Sequence, residues 1–190
     1  MTIQQQTWSQ ENVEQIFERK SPSMVVVVDS DDNEIGLLEK IDAHRKGGTL
    51  HRAFSIYLFD DANRLLLQRR AKTKYHFGGL WTNTCCGHAV PSELLSISAP
   101  IRLWQEMRIC TDIKVVGRFT YSATCPNSYL AEREIDHVYL GTFNGSPSPE
   151  PDEVDDWRWE SIDDIHHELR ENPENFTPWF GLGLSEALKI

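Results

Sequence analysis

No stretch of this 190-residue sequence is apolar for long. The longest such run is Met24–Val28, far short of the ~20 residues a membrane-spanning helix needs. The first residues, MTIQQQTWSQENVEQ, lack both a basic start and an apolar centre, so no secretory signal is expected. Positive charge is scarce as well. Nineteen Lys and Arg stand against 29 Asp and Glu, a net charge of −10. A general nucleic-acid or anionic-membrane role needs a basic face and is disfavoured. Cysteine is limited to Cys85, Cys86, Cys110 and Cys125. Two are adjacent and none forms a CxxC pair, which removes zinc-ribbon and thioredoxin readings. The four are expected to be reduced, mostly buried thiols in a cytoplasmic protein.

Ordinary globular composition and short mixed segments point to one α+β domain. Residues 1–23 form a polar appendage, with Trp8, Val13, Ile16 and Phe17 at helical spacing; residues 24–190 form the main body. Val25–Asp29 and Ile35–Lys40 flank the turn Ser30-Asp31-Asp32-Asn33 and predict a hairpin. Ala53–Phe59 and Arg64–Arg70 predict a second one, followed by a long loop over 71–84. Ser96 or Ser98 is expected to cap a helix with Pro100 in its first turn, running on through Ile101–Ile109. Strands near Ile113–Tyr121 and Ile135–Phe143 come next, then a strand at Trp157–Trp159. Ser161, Asp163 and Asp164 open a helix to Arg170, and Thr177-Pro178-Trp179 opens a last one ending at Ile190. Trp81 and Trp104 read as core residues.

Two features suggest chemistry. Arg69-Arg70-x-Lys72-x-Lys74 is a local cationic loop in an acidic chain. It suits a compact polyanion such as a diphosphate, and equally a solubility patch. His44, His51 and His88, with Glu132 and Glu134 at i,i+2 on one face of a strand, make a donor set for zinc, manganese or iron rather than calcium. Their spacing does not mark a metal site by itself: each histidine alone reads more readily as a core or surface residue than as a ligand, and two acids at i,i+2 as simply exposed. Ten acids between positions 150 and 171 read as a solvated face.

The strings LLEKIDAH (37–44), LHRAFSIYLF (50–59), LLLQRR (65–70), GLWTNTCCGH (79–88), FTYSA (119–123), EREID (132–136) and FTPW (176–179) together resemble type I isopentenyl-diphosphate Δ-isomerases. The resemblance runs from about Met24 to Trp179. It implies a Nudix-like α/β/α sandwich around a mixed β-sheet. It also implies reversible interconversion of isopentenyl and dimethylallyl diphosphates, by protonation and deprotonation through a tertiary carbocation. Matched position by position, it implies His44, His51, His88, Glu132 and Glu134 as metal ligands, with Glu134 also an acid/base group. Cys86 matches the catalytic cysteine, Tyr121 the active-site tyrosine and Trp179 the tryptophan facing the isoprenyl tail. Glu106 matches the glutamate that holds Mg2+ with the substrate diphosphate. Lys40, Arg70, Lys74 and Arg102 match the diphosphate contacts. The implied cofactors are that Mg2+ and one further divalent ion, Mn2+, Zn2+ or Mg2+. The implied partner is a small prenyl diphosphate, with no nucleic acid or membrane, and the chain is expected as a monomer or weak homodimer.

A hydrolytic Nudix box reads G-x5-E-x7-R-E-U-x-E-E-x-G-U. Gly87-x5-Glu93 fits, but one extra residue precedes Arg102, and Leu103 and Met107 stand where two carboxylates belong. Ile109 fills the glycine slot. A metal-dependent Nudix diphosphohydrolase is thus the weaker alternative, since such enzymes bind several metals with that carboxylate cluster. Glu106 can also be read as a plain i,i+4 partner of Arg102.

Overall fold

The computed structural model describes residues 23–126 and 128–189. The helix expected before residue 23, and the terminal Ile190, lie outside the described residues.

The elements run β1 (Met24–Val28), β2 (Glu34–Glu39), α1 (Lys40–Ala43), β3 (His51–Phe59), β4 (Leu65–Arg70), β5 (Trp81–Thr82), β6 (Cys85–His88), α2 (Leu95–Met107), β7 (Ile113–Thr124), β8 (Ala131–Thr142), β9 (Val154–Glu160), α3 (Ile162–Glu171), a 3₁₀ turn (Pro173–Asn175) and α4 (Phe180–Ala187). β3 is the spine. It pairs in parallel with β8 along its whole length, from His51↔Glu134 to Phe59↔Thr142. Its other edge is shared by β1, β6 and β4.

Strand parity sorts the core into two layers, because alternate side chains leave opposite faces. Phe54, Ile56 and Leu58 join Leu66 and Tyr139 beneath α2, where Ala99, Leu103 and Met107 project at helical spacing. Tyr57, Leu65, Leu67 and Val138 meet Ile165 of α3 and Phe180 and Leu184 of α4 on the other face. The result is the expected α/β/α sandwich around a mixed sheet.

The first expected hairpin is present as β1–β2. The second is not a ladder: β3 and β4 pair only at Phe59↔Leu65. Thr84 stands between them instead. Its hydroxyl donates to Leu66 O (2.7 Å) and accepts from Leu58 N (3.0 Å), while its own N–H bonds Ile56 O (3.0 Å). Beyond this wedge the strands part. β6 takes the edge of β3, and β5 and β9 take the edges of β4. The region 71–84 is therefore not wholly loop.

α2 departs from expectation at both ends. It starts at Leu95 with no side-chain cap, encloses Ser96, Ser98 and Pro100, and stops at Met107 with Arg108 left-handed (φ 55°). Burial of Ala99, Leu103 and Met107 outweighs the missing Pro100 N–H. α3 is as expected, its Ser161 Oγ accepting from Asp164 N–H (3.1 Å). α4 begins after Trp179 and ends at Ala187. Cys85 and Cys125 are buried, but Cys110 is exposed. Trp81 is only partly buried, lying between the guanidinium groups of Arg69 and Arg158 at 5.5 and 4.4 Å. Trp104 is partly buried as well. No helix among the described residues is long and apolar enough to cross a membrane.

Candidate active site

The parity that builds the core also assembles the site. Tyr121 of β7 is directly opposite Glu134 of β8, and Glu134 is in register with His51 of β3. Cys86 and His88 of β6 pair with Ser55 and Ala53. His51, Cys86, His88, Tyr121, Glu132 and Glu134 consequently share one face at one end of the sheet. The carbonyl of His44, just past α1, accepts from Ala131 N–H (2.8 Å), which brings that histidine to the start of β8. β6 can lie this close to α2 because Gly87 has no side chain. A Cβ there would sit 2.9 Å from Phe54 Cζ and 3.3 Å from Arg102 Cγ.

One cavity of about 140 Å³ is lined by Lys40, Arg70, Lys74, Cys86, His88, Arg102, Glu106, Tyr121, Glu132, Glu134 and Trp179. His44 and His51 are fully buried beside it. Every residue that the family resemblance implied for the site is thus brought to one place.

His44, His51, His88, Glu132 and Glu134 offer ligand atoms that all lie within 4.8 Å of one another. His44 Nδ1 donates to Lys40 O (2.5 Å) and His51 Nδ1 to Thr49 O (2.7 Å). Both rings therefore present Nε2 as a lone pair. His44 Nε2 lies 2.8 Å from Glu132 Oε2, and His51 Nε2 lies 3.2 Å from Glu134 Oε1. Yet among the described residues His44 Nε2, His51 Nε2 and Glu132 Oε2 are buried without a geometrically sound hydrogen bond. Buried polar atoms left so are rare. His88 Nε2 does bond Glu134 Oε1 (2.9 Å), but the three orphaned atoms converge as a shared divalent cation would require, and nitrogen with carboxylate donors can hold one. Burial drives His88 down to about 3, keeping it neutral. Burial and Glu132 push Glu134 upward, but His51 and His88 outweigh them and hold it ionised.

Tyr121 donates to Glu134 Oε2 at 2.5 Å. Burial, then Glu134, raises the phenol well above its ordinary value, so Tyr121 keeps its proton and donates it in a hydrogen bond to the ionised Glu134. The Cys86 thiol is pushed up by burial to about 12 against the pull of Arg70, whose Nη1 is 3.5 Å from Sγ. Trp179 packs with Tyr121 and Phe77, ring centres 6.0 and 5.5 Å apart, and its indole N–H donates to Asn83 Oδ1 (3.3 Å).

Arg70, Lys74, Arg102 and Lys40 form the cationic part of the cavity. Arg69 leaves the opposite face of β4 from Arg70 and meets Asp156, and Lys72, in the turn beyond the strand, is exposed, so only part of the cationic string reaches the cavity. Glu106 pairs with Arg102 (2.6 Å), as the alternative reading expected, and accepts from Gln68 (2.9 Å). Burial raises its pKa, but Arg102 and Lys74 together hold it low.

Four participants were not singled out in the sequence. Glu153 lies in the acidic run read as solvated, yet it binds Arg102 (2.7 Å) and contacts Lys74. Gln68 supports Glu106. Asp136 continues the i,i+2 series of Glu132 and Glu134, a legible signal, and accepts from Ser55 Oγ (2.7 Å). Burial and then Glu134 push its carboxyl well above the usual range. His76, which contacts Glu132, carried no signal.

Residues 49–180 match the NUDIX domain family. An isopentenyl-diphosphate Delta-isomerase of Serratia proteamaculans is 47% identical over 83% of this chain and 87% of its own length. One from Aromatoleum aromaticum is 46% identical over 82% and 86%. The chain belongs to the isopentenyl-diphosphate Delta-isomerase family. Among solved structures, a Deinococcus radiodurans protein superposes with TM-score 0.73 at 13% identity, covering 87% of this chain and 99% of that one. A MutT protein of Methanosarcina mazei gives 0.58 at 19%, covering 74% and 96%. These two likenesses establish the Nudix fold. In α2 of this chain, Leu103 and Met107, which stand where a hydrolytic Nudix box carries two carboxylates, are fully buried in the core.

Proposed function

We propose that this chain interconverts isopentenyl and dimethylallyl diphosphates in the cytoplasm, with residues 24–190 as the isomerase domain. The observation that carries the reading is one cavity holding a neutral thiol, Cys86, together with the Glu134–Tyr121 pair. Moving the double bond requires a proton added at C4 and one removed from C2, by way of a tertiary cation at C3. Cys86 serves one transfer and Glu134 with Tyr121 the other. The Trp179 ring faces the hydrocarbon and stabilises the cation through its π face, by ~2 kcal/mol when desolvated, without offering a nucleophile to trap it.

Arg70, Lys74, Arg102 and Lys40 hold the diphosphate and supply binding energy remote from the reacting carbons. His44, His51, His88, Glu132 and Glu134 would hold a divalent cation, whose charge would offset the paired carboxylates and tune the acidity of Glu134 and Tyr121. Glu106, a single carboxylate, would hold Mg2+ only with the help of substrate oxygens. Hydrolysis is disfavoured because its carboxylate cluster is replaced by buried Leu103 and Met107. Proton NMR of isopentenyl diphosphate in D2O with the enzyme and Mg2+ tests the reading. Dimethylallyl product carrying deuterium is expected; phosphate release from an unrearranged carbon skeleton would overturn it.

A further inference from the structure

Glu132 is held from both sides. Its Oε2 lies 2.8 Å from His44 Nε2, and its Oε1 contacts Nε2 of His76, a fourth imidazole outside the donor cluster. The last torsion of a glutamate side chain is broad and roughly two-fold. A carboxylate held at one end only could turn either oxygen toward the centre, or swing away from it. A donor fixed on Oε1 removes that freedom and leaves Oε2 as the oxygen presented beside His44.

The loop carrying His76 is itself pinned. Arg70 Nη2 donates to the His76 carbonyl (3.3 Å) and Arg70 Nε to the Phe77 carbonyl (3.2 Å). Phe77 takes a left-handed backbone, φ 49°, that a bulky residue adopts only where its surroundings impose it. The His76 ring lies 5.3 Å from that of His44 and 4.2 Å from Tyr75. Its Nδ1 is buried and has no hydrogen-bond partner among the described residues. Among the described residues, the polar contact of this imidazole is with Glu132.

We infer that His76 is a positioning residue for the metal centre: it clamps Glu132 by Oε1 so that Oε2 is delivered as a ligand atom. The inference rests on the proposed His/Glu metal site. It assigns His76 no contact with substrate and no proton transfer.

Mn2+ affinity, measured without substrate by competition with a chromogenic chelator, tests it on wild type, His44→Ala, His76→Ala and His76→Gln. Removing such an outer partner of a ligand costs 10–100-fold in metal affinity as an order of magnitude. His76→Ala is therefore expected to bind Mn2+ about 10–100-fold more weakly. The Gln variant, whose amide can donate to Oε1, should recover most of the loss. If His76→Ala does not fold, His76→Phe fills the same space without a donor and takes its place. Wild-type affinity in the donor-less variant, beside lost binding in His44→Ala, overturns the inference alone. So does a Gln variant no better than the donor-less one. Wild-type protein whose Mn2+ binding is indifferent to His44→Ala overturns the metal site itself.

Discussion

Cys85 and Cys86 leave opposite faces of β6. Cys85 is fully buried in the layer under α2, and Cys86 packs against the cluster of Phe77, Tyr121, Cys125 and Trp179. Cys86→Ala should lose nearly all isomerase activity. Cys85→Ala should keep most of it, at a stability cost on the order of 1 kcal/mol for a small cavity. Turnover and a melting curve on each variant check this, and reversed phenotypes would shift the motif alignment by one residue. Lys74 makes a different prediction. Burial lowers its ammonium pKa to about 8. The side chain is charged below that pH and neutral above it, and kcat/KM reports the free enzyme. So kcat/KM should fall as pH rises through about 8. Lys74→Arg, still charged there, should carry the plateau to higher pH. A wild-type profile flat from 7 to 9 would remove Lys74 from diphosphate binding.

Among the helices, α4 and α2 do distinct work. α4 lies so close to β3 that a Cβ on Gly183 would sit 2.2 Å from the Tyr57 hydroxyl, which donates to Phe180 O at 2.9 Å. Gly183→Ala must push the ring or the helix aside and should cost ~1–3 kcal/mol. Tyr57→Phe, which removes the clashing oxygen, should cost less in that background than in wild type, as urea unfolding of the double-mutant cycle will show. α2 presents Glu106 to the cavity, paired with Arg102. Because that pair is buried, Glu106→Gln should lower the melting temperature whatever else it does. The functional role requires more: a higher Mg2+ requirement and a higher KM, with the metal of the histidine site retained. An unchanged Mg2+ titration would leave Glu106 a structural partner only.

At the scale of the molecule, the buried histidine–carboxylate cluster ties α1, β3, β6 and β8 together. A cation bound only by the folded state stabilises it by mass action, by about 2.7 kcal/mol at a hundred times its Kd. Chelation should lower the melting temperature of wild type and leave His51→Ala unmoved, and elemental analysis should find less metal in variants of His44, His51 or His88. Superimposable wild-type melting curves with and without chelator would overturn this. The net charge of −10 also acts at this scale. Against it, the cluster of Arg70, Lys74 and Arg102 is a local exception that the fold concentrates in one cavity.

What could be read along the chain was what depends on near neighbours. The β1–β2 turn, the Ser161 cap of α3, the shared face of Glu132 and Glu134, and the family strings are all local patterns of side-chain type and spacing. Turn and cap chemistry act within a few residues, and strand parity follows from the backbone alone. The packing of distant segments decided the rest. Thr84 parts β3 from β4 through bonds to Leu58 and Leu66, so an apparent hairpin became the split between sheet edges. Burial of Ala99, Leu103 and Met107 carried α2 across Pro100. Glu153 left a solvated run to meet Arg102, 51 residues away in sequence. His76 reached Glu132 from a loop that Arg70 pins by its carbonyls. None of these contacts has a sequence period or a fixed spacing; each exists only because burial of the sandwich core brings remote segments to one place, where a single short-range bond then outweighs the local preference.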